Sequence, residues 1–463
     1  MSTRAVAVTL LAGLLGACGG GASQPSSGGA TARATPAAPP RPIDWLTYMG
    51  SPTRSGQANL PVPQGPLRIA WRSPVLDGAT YAEPLVSEGT LIVATQSNTL
   101  YALSPADGHI LWHTHLGDPD TDLAPPCTVR TLGGLTSTPV IDPTTHTIYA
   151  GTFVQPGVHE LVALDSRSGT VRFRRPIEPR GENPFLEGQR GALALANGMV
   201  YIPFGGRFGD CGRYHGAVMG IAADGSGPVL EFRVRASQGA GIWAPTGVVV
   251  EPGGNLLVTT GNTWGAAAGE GYNDSNSVIR LSPQLRPLDY WAPRDWQQRS
   301  AGDVDKDVGS LGPLLVGGDR VLQAAKHGTA FLLHRQPLGH VGGEMTSVDV
   351  GTDAIGSAAY SAAEQMVLVP TTGGMDGVSL GPGPELRRVW STPTGHWYGP
   401  PLVGHGAVWT VDVLNGTLYV LAVKDGAQLG VLKVGPVVHF TTPTPVGKLV
   451  VVATTTGVVA VDA

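Results

Sequence analysis

The sequence has little charge. Asp, Glu, Lys and Arg make up 14% of its 463 residues, where an average soluble protein carries about a quarter. The net charge is −5 and no basic stripe or Lys/Arg run occurs, so the electrostatic footprint of a nucleic-acid-binding protein is missing. Cysteine is scarcer still, with three residues in all. Without a CxxC or CxxCH string, neither a zinc ribbon nor covalently attached haem c has support. No GxSxG or Walker-type string is present, and "HELVA" at 159–163 lacks the second histidine of HExxH. Serine-hydrolase, NTPase and zinc-protease chemistry therefore have no motif. The apolar run "AVAVTLLAGLL" near the N-terminus is too short for a permanent membrane-spanning helix.

What the chain has in quantity is glycine (66) and proline (39), together with more Val, Leu and Ile than a disordered chain carries. Many short strands joined by many turns fit that balance, and the length suits a repeat array or barrel better than one ordinary core. "TLYALSPADGHILWHTHLG" (99–117) spells the unit: a strand, an Asp-Gly turn, a second strand and Trp112. The same grammar returns in "ELVALDSRSGTVRF", "GAVMGIAADGSGPVLEF", "SVIRLSPQLRPLDYW", "GTAFLLHR", "MVLVPTTGGMDGVSLGPGPELRRVW" and "NGTLYVLAVKDGAQLGVLKVG". Its spacing, roughly 42 to 67 residues, is at or somewhat above that of propeller blades. The final stretch, "TPTPVGKLVVVATTTGVVAVDA", holds about three strands, and "PLRIAWRSPV" (66–75) supplies the missing outer one. The expectation is an all-β, eight-bladed propeller of four-stranded antiparallel blades over 43–463, its ring closed by an N-terminal strand so that no sheet edge of a linear array is left open.

The first 42 residues read as address and tether. Arg4, the apolar run and Leu15-Gly16-Ala17-Cys18 resemble the signal and lipobox of bacterial lipoproteins, which implies cleavage before Cys18, lipidation of its thiol and anchoring in the cell envelope. The alternative is an ordinary signal peptide cut near Ala17. Residues 19–42 are Gly, Ser, Ala and Pro with almost no large apolar side chain, the composition of a flexible tether. In an oxidising compartment the two remaining cysteines, Cys127 and Cys211, are expected to form one disulfide, with free or buried thiols as the alternative.

The strings "YALSPADGHILW" and "VALDSRSG" resemble the repeat of pyrroloquinoline-quinone (PQQ) propellers, a group that includes the quinoprotein alcohol dehydrogenases and the BamB-like envelope lipoproteins. The resemblance covers essentially all of 43–463 and implies that Trp112 and Trp390 pack between blades. Three further strings resemble the dehydrogenase site. "TTGNTWG" implies Asn262 as a metal ligand and Trp264 as a cofactor contact. "DVDKDVGSLGPLL" implies Asp305 or Asp307 as the catalytic base. "AAKHGTAFLLHR" implies Lys326 as the cation on the quinone. Where the family places a further metal-binding Glu, this sequence offers Cys211 or, one off, Asp210. The family's adjacent-cysteine pair and haem domain are also missing.

Asp303, Asp305 and Asp307 have calcium-loop spacing, but Gly309 comes one place late and no closing Glu follows; the triplet reads as a solvated acidic turn. His109, His113 and His115 have no carboxylate or cysteine companion that would make a metal site.

The sequence favours the first of two functions and keeps the second as its alternative. One is a lipid-anchored, monomeric propeller acting as a binding or scaffold module, with an envelope protein or small ligand on the rim loops of blades 3–5 and no enzymatic activity. The other is an alcohol or sugar dehydrogenase using PQQ and Ca2+ through Asp305, Asp307, Asn262, Trp264 and Lys326.

Overall fold

The computed structural model describes residues 44–120, 133–207, 210, 212–300 and 305–463. The expectations for Cys18, the signal, the tether, Asp303 and the Cys127–Cys211 pair lie outside these residues.

Eight antiparallel sheets follow one another along the chain. Blade 1 consists of Leu85–Ser87, Thr90–Thr95, Thr99–Leu103 and Ile110–His115, paired in that order. Blades 2 to 7 begin at Val140, Ala194, Val249, Leu314, Ala359 and Leu402 and repeat the pattern. Blade 8 takes Thr444–Val446, Leu449–Ala453 and Val458–Asp462 from the C-terminus and its fourth strand, Arg68–Arg72, from near the N-terminus. Arg68 lies opposite Asp462 and Trp71 opposite Ala460, so the ring closes as the repeat pattern requires.

Strand burial explains the sequence pattern. Thr99–Leu103 is buried at every position, whereas Ile110–His115 alternates between half-buried and exposed. Inner strands are covered on both faces by neighbouring blades and so read as continuous apolar runs; the outer strand keeps one face wet.

The Trp and the turn glycine form one device. Trp71 of blade 8 packs on Gly108 of blade 1, Trp112 of blade 1 on Gly169 of blade 2, and Trp390 of blade 6 on Gly426 of blade 7. Phe173 of blade 2 does the same on Gly225 of blade 3. All four glycines have φ between +71° and +77°, the left-handed region that glycine enters without penalty. A Cβ at any of them would sit within 3.0 Å of the aromatic ring. Trp71 and Trp390 also donate their indole N–H to Pro105 and Val423 carbonyls of the next blade.

Three features depart from the repeat. Glu187–Gly188 pairs with Gly205–Gly206 and adds a fifth strand to blade 3. His340–Val341, between the third and fourth strands of blade 5, pairs in parallel with Trp291–Ala292 and adds a fifth strand to blade 4. The segment 44–58 runs across the first strands of the blades. It exchanges backbone hydrogen bonds with Val86, Ile141, Val250, Tyr360 and Val403, of blades 1, 2, 4, 6 and 7. Arg54, 1% exposed, reaches the carbonyls of Leu193 and Val248 at 2.7 and 3.1 Å. Glu83, fully buried, accepts from Trp45 Nε1 and the Met49 amide. Burial pushes its pKa up to about 8. This segment lies at the far ends of the first strands and closes the axial channel there.

Candidate functional site

The other end of the channel stays hollow. The loops entering each first strand, and the hairpins joining second to third strands, enclose a cavity of about 550 Å³. Loops on one rim of a rigid scaffold are where binding groups are usually presented. The rim inserts 205–216, 238–243 and 261–274 send Arg207, Asp210, Tyr214, Trp243 and Asn262 into its wall.

Asp307, just before blade 5, is buried at 2% exposure. Its carboxylate accepts from Trp243 Nε1 at 2.7 Å and from the Gly309 amide at 2.6 Å. Burial raises its pKa to about 6, against the opposing pull of Lys326. Lys326, at the end of blade 5's second strand, pairs with Asp305 at 2.5 Å and stands 5.2 Å from the Trp243 ring centre. Burial works against its charge, yet Asp307 and Asp305 outweigh burial and hold its pKa above the ordinary lysine value. Asp305 is more than half exposed and accepts a long 3.5 Å contact from the Asn262 amide. One buried carboxyl poised near neutrality, one exposed carboxylate, one cation and one flat indole thus meet in a few ångströms. Such an arrangement can move a proton and hold negative charge at a reacting oxygen.

A second polar strip enters from the approach to blade 3. Glu187, Gln189 and Arg190 all line the cavity. Both Glu187 oxygens, Gln189 Nε2 and the Nε and Nη2 atoms of Arg190 are shut off from water and have no hydrogen-bond partner. Burial, followed by repulsion from Glu182, raises the Glu187 pKa well above the carboxylate range. Buried polar groups in folded proteins are nearly always satisfied, so five orphaned atoms in four consecutive residues mark a wall built to meet something else.

Residues 68–206 match the family model described as outer membrane protein assembly factor BamB. Among solved structures, the chain is similar to a quinohemoprotein alcohol dehydrogenase from Pseudomonas putida HK5 at 15% identity. That match covers 90% of this chain and 80% of the other, with a TM-score of 0.68. A europium-containing methanol dehydrogenase matches at 14% identity over 89% and 90% of the two chains, TM-score 0.68. BamB from Moraxella catarrhalis matches at 14% identity over 85% and 99%, TM-score 0.56. No curated protein matches the sequence. The chain is an eight-bladed β-propeller with a BamB-like segment over 68–206.

Within this propeller, four of the residues singled out in the sequence line one cavity: Asn262, Asp305, Asp307 and Lys326. Trp264 does not. It packs against Tyr214 with ring centres 5.3 Å apart, outside the cavity wall, and the tryptophan that faces in is Trp243. Asp210 lines the cavity too, but its carboxylate accepts the Tyr214 hydroxyl at 2.7 Å. The carboxylate without a partner is Glu187. Trp243, Glu187 and Arg190 were therefore missed by motif reading. Their one signal is position: each is a large or charged residue in the stretch that leads into a first strand, where the repeat grammar calls for small and apolar ones, with Glu187 in a two-residue strand of its own.

Among the described residues, no cluster of three or more His, Cys, Asp or Glu side chains is arranged to hold a metal. His109 and His115 engage Asp107 and Asp118 at the surface, and His113 stacks on Tyr101.

Proposed function

We propose that this propeller is an exported, envelope-located protein that binds PQQ in its axial cavity and oxidises an alcohol or sugar. The observation that carries the reading is the convergence of Asp307, Lys326 and Trp243 in a cavity whose lower end is closed by the 44–58 segment.

The residues present fit such a group. Trp243 offers a flat apolar face, and Lys326 and Arg190 offer positive charge for a polycarboxylate. The unpartnered Glu187 carboxylate and the Asn262 side-chain oxygen are hard donors of the kind Ca2+ selects, and these two would hold the ion. When bound, PQQ supplies a two-electron acceptor for the substrate carbon. This chain's own part is to remove and place protons. Asp307, near neutrality by burial, takes the proton of the substrate hydroxyl; Lys326 keeps the local field positive; Asp305 holds Lys326 in place from the solvent side.

A second reading, a binding or scaffold module of the envelope, draws on the family model matched by residues 68–206. In that reading the rim loops of blades 3–5 contact a partner and the protein is no enzyme. Lipidation of Cys18 serves either reading.

The test is reconstitution with PQQ and Ca2+, followed by quinone absorbance and dye reduction with a panel of alcohols and aldoses. Stoichiometric binding, together with substrate-dependent dye reduction that Asp307→Asn abolishes without loss of binding, supports the dehydrogenase. Absence of PQQ binding at high concentration refutes it and leaves the scaffold.

A further inference from the structure

Blades 7 and 8 present an outer surface unlike that of the other blades. Nine large apolar side chains stand exposed among the described residues, and five of them, Leu414, Leu429, Val431, Ile69 and Val75, belong to these two blades. Val75 is 81% exposed and Leu414 60%. They flank a seam where two outer strands meet. Blade 7 carries Gly430 where blades 1 and 6 carry Trp112 and Trp390. Leu67, just before the outer strand of blade 8, comes within 3.2 Å of the position a Cβ would take on that glycine. Further along, Arg72 donates to the Val434 carbonyl at 2.9 Å. Gln428–Lys433 and Arg68–Arg72 therefore run side by side, with Leu429, Val431 and Ile69 on their outer surface.

The charges on these strands have one sign. They hold Lys433, Arg68 and Arg72 and no Asp or Glu. Among the described residues, no carboxylate lies within ion-pair distance of these three. Every Arg or Lys that has such a partner lies between residues 167 and 335, on blades 2 to 5. Asp425 and Asp462, the exposed carboxylates of blades 7 and 8, sit at the ends of the strands away from the cavity mouth.

On an edge strand, cations alone guard against pairing with another chain; aliphatic side chains between them work against that protection. Projecting aliphatic groups beside unpaired cations suit anionic lipid, where the first enter the headgroup boundary and the second meet phosphate. The surface is the convex outside of a ring and needs no groove for a flat bilayer. The chain ahead of the propeller also arrives at the neighbouring blade. Asp44 accepts the Glu88 amide, and Trp45 exchanges backbone hydrogen bonds with Val86, both on blade 1. A lipid on Cys18, as the sequence leads one to expect, tethers the ring from the blade next to this surface.

We infer that the outer surface of blades 7 and 8 rests directly on a bilayer containing anionic phospholipid. It takes the envelope location from the proposed function and nothing from PQQ.

The test is co-sedimentation of the full chain with vesicles of phosphatidylcholine, alone or mixed with phosphatidylglycerol, at low and high salt. Every protein carries Cys18→Ser, so that no attached acyl chain contributes. Binding is expected to the mixed vesicles, more weakly to phosphatidylcholine, and to fall with salt. Arg68→Gln/Lys433→Gln is expected to weaken binding to mixed vesicles about tenfold or more. Val75→Ser/Leu414→Ser, at two exposed loop positions, is expected to weaken binding to both vesicle types. Leu288→Ser, an exposed leucine on the outer strand of blade 4, is expected to change neither. Should the strand variant fail to fold, the loop variant against Leu288→Ser decides alone. No binding to either vesicle, binding indifferent to both double variants, or an equal loss in Leu288→Ser overturns the membrane surface. A dimer in sedimentation velocity that Val75→Ser/Leu414→Ser dissociates, without vesicle binding, assigns the surface to a second copy and overturns it too. PQQ binding is measured separately, so the dehydrogenase can fail while the membrane surface stands, and the reverse.

Discussion

Gly169→Ala tests the device that joins the blades. Gly169 has φ +71°, and a Cβ there would lie 2.5 Å from Trp112 Cε3 and 2.7 Å from Thr114 Oγ1. Two costs follow. The left-handed backbone strains an L-residue by about 1 kcal/mol, and pushing the indole off its seat adds about 1–3 kcal/mol of overpacking. Gly447 separates them, because it has φ +62° and nothing within 4 Å of its would-be Cβ; Gly447→Ala bears the strain alone. With an unfolding entropy near 2 cal/mol/K per residue over some 420 residues, 1 kcal/mol moves Tm by about 1 °C. Scanning calorimetry should therefore find Gly447→Ala about 1 °C below wild type and Gly169→Ala about 2–4 °C below. Replacing the indole as well, in Trp112→Leu/Gly169→Ala, should make the two changes less than additive by about 1–2 kcal/mol. Equal shifts for the two glycines, or full additivity with Trp112→Leu, would refute the wedge.

Glu83 titrates at about 8 in the folded chain and near 4.5 unfolded, so the folded state binds the extra proton. Stability is then greatest below about pH 4.5 and falls by at most about 4–5 kcal/mol as pH rises to 8; Glu83→Gln should flatten that part of a Tm-against-pH curve. Arg54→Met leaves the Leu193 and Val248 carbonyls without their donor, and should cost about 3–5 kcal/mol in denaturant unfolding. If PQQ binds, Asp307→Asn should lower kcat by about 100-fold or more and remove the limb of the pH–rate profile near 6, with PQQ affinity within a few-fold of wild type. Non-reduced peptide mapping should recover Cys127 and Cys211 as one linked peptide; free thiols at both would overturn the pairing.

The ring was legible because its assembly device is local. A Trp or Phe in an outer strand, packed on a glycine in the turn of the next unit, recurs at four of the eight junctions, and with the strand-turn grammar this is enough for a reader to count the rest. The fourth strand of blade 8 could be found for the same reason: a ring of four-stranded units leaves one vacancy, and Arg68–Arg72 fills it. The 44–58 segment escaped notice because it obeys no period. It is held by one or two backbone bonds to the first strand of each of five blades and by Arg54 to carbonyls of residues 139 and 194 positions away, partners that no local window contains. The His340–Val341 strand is equally invisible, since two residues in an insert carry no alternation.

The cavity divides along the same line. Asn262, Asp305, Asp307 and Lys326 lie on two blades in strings with a fixed wording, so resemblance could find them. Trp243, Glu187 and Arg190 come from the approaches to blades 3 and 4, and nothing nearby in sequence says that they face the axis. Trp264 shows the converse: a tryptophan in the right wording whose ring is taken up by Tyr214. An axial site draws one or two side chains from each blade, so its chemistry is distributed over the whole chain. What identifies its members is burial without a partner. Glu187, whose burial disfavours its charge, and Arg190 stand three residues apart and yet do not pair. Had they evolved only to stabilise the ring, a salt bridge between them or an apolar pair would have cost less. That the two remain separate and unsatisfied is the strongest physical reason to look for this propeller's function in the cavity and not on its rim.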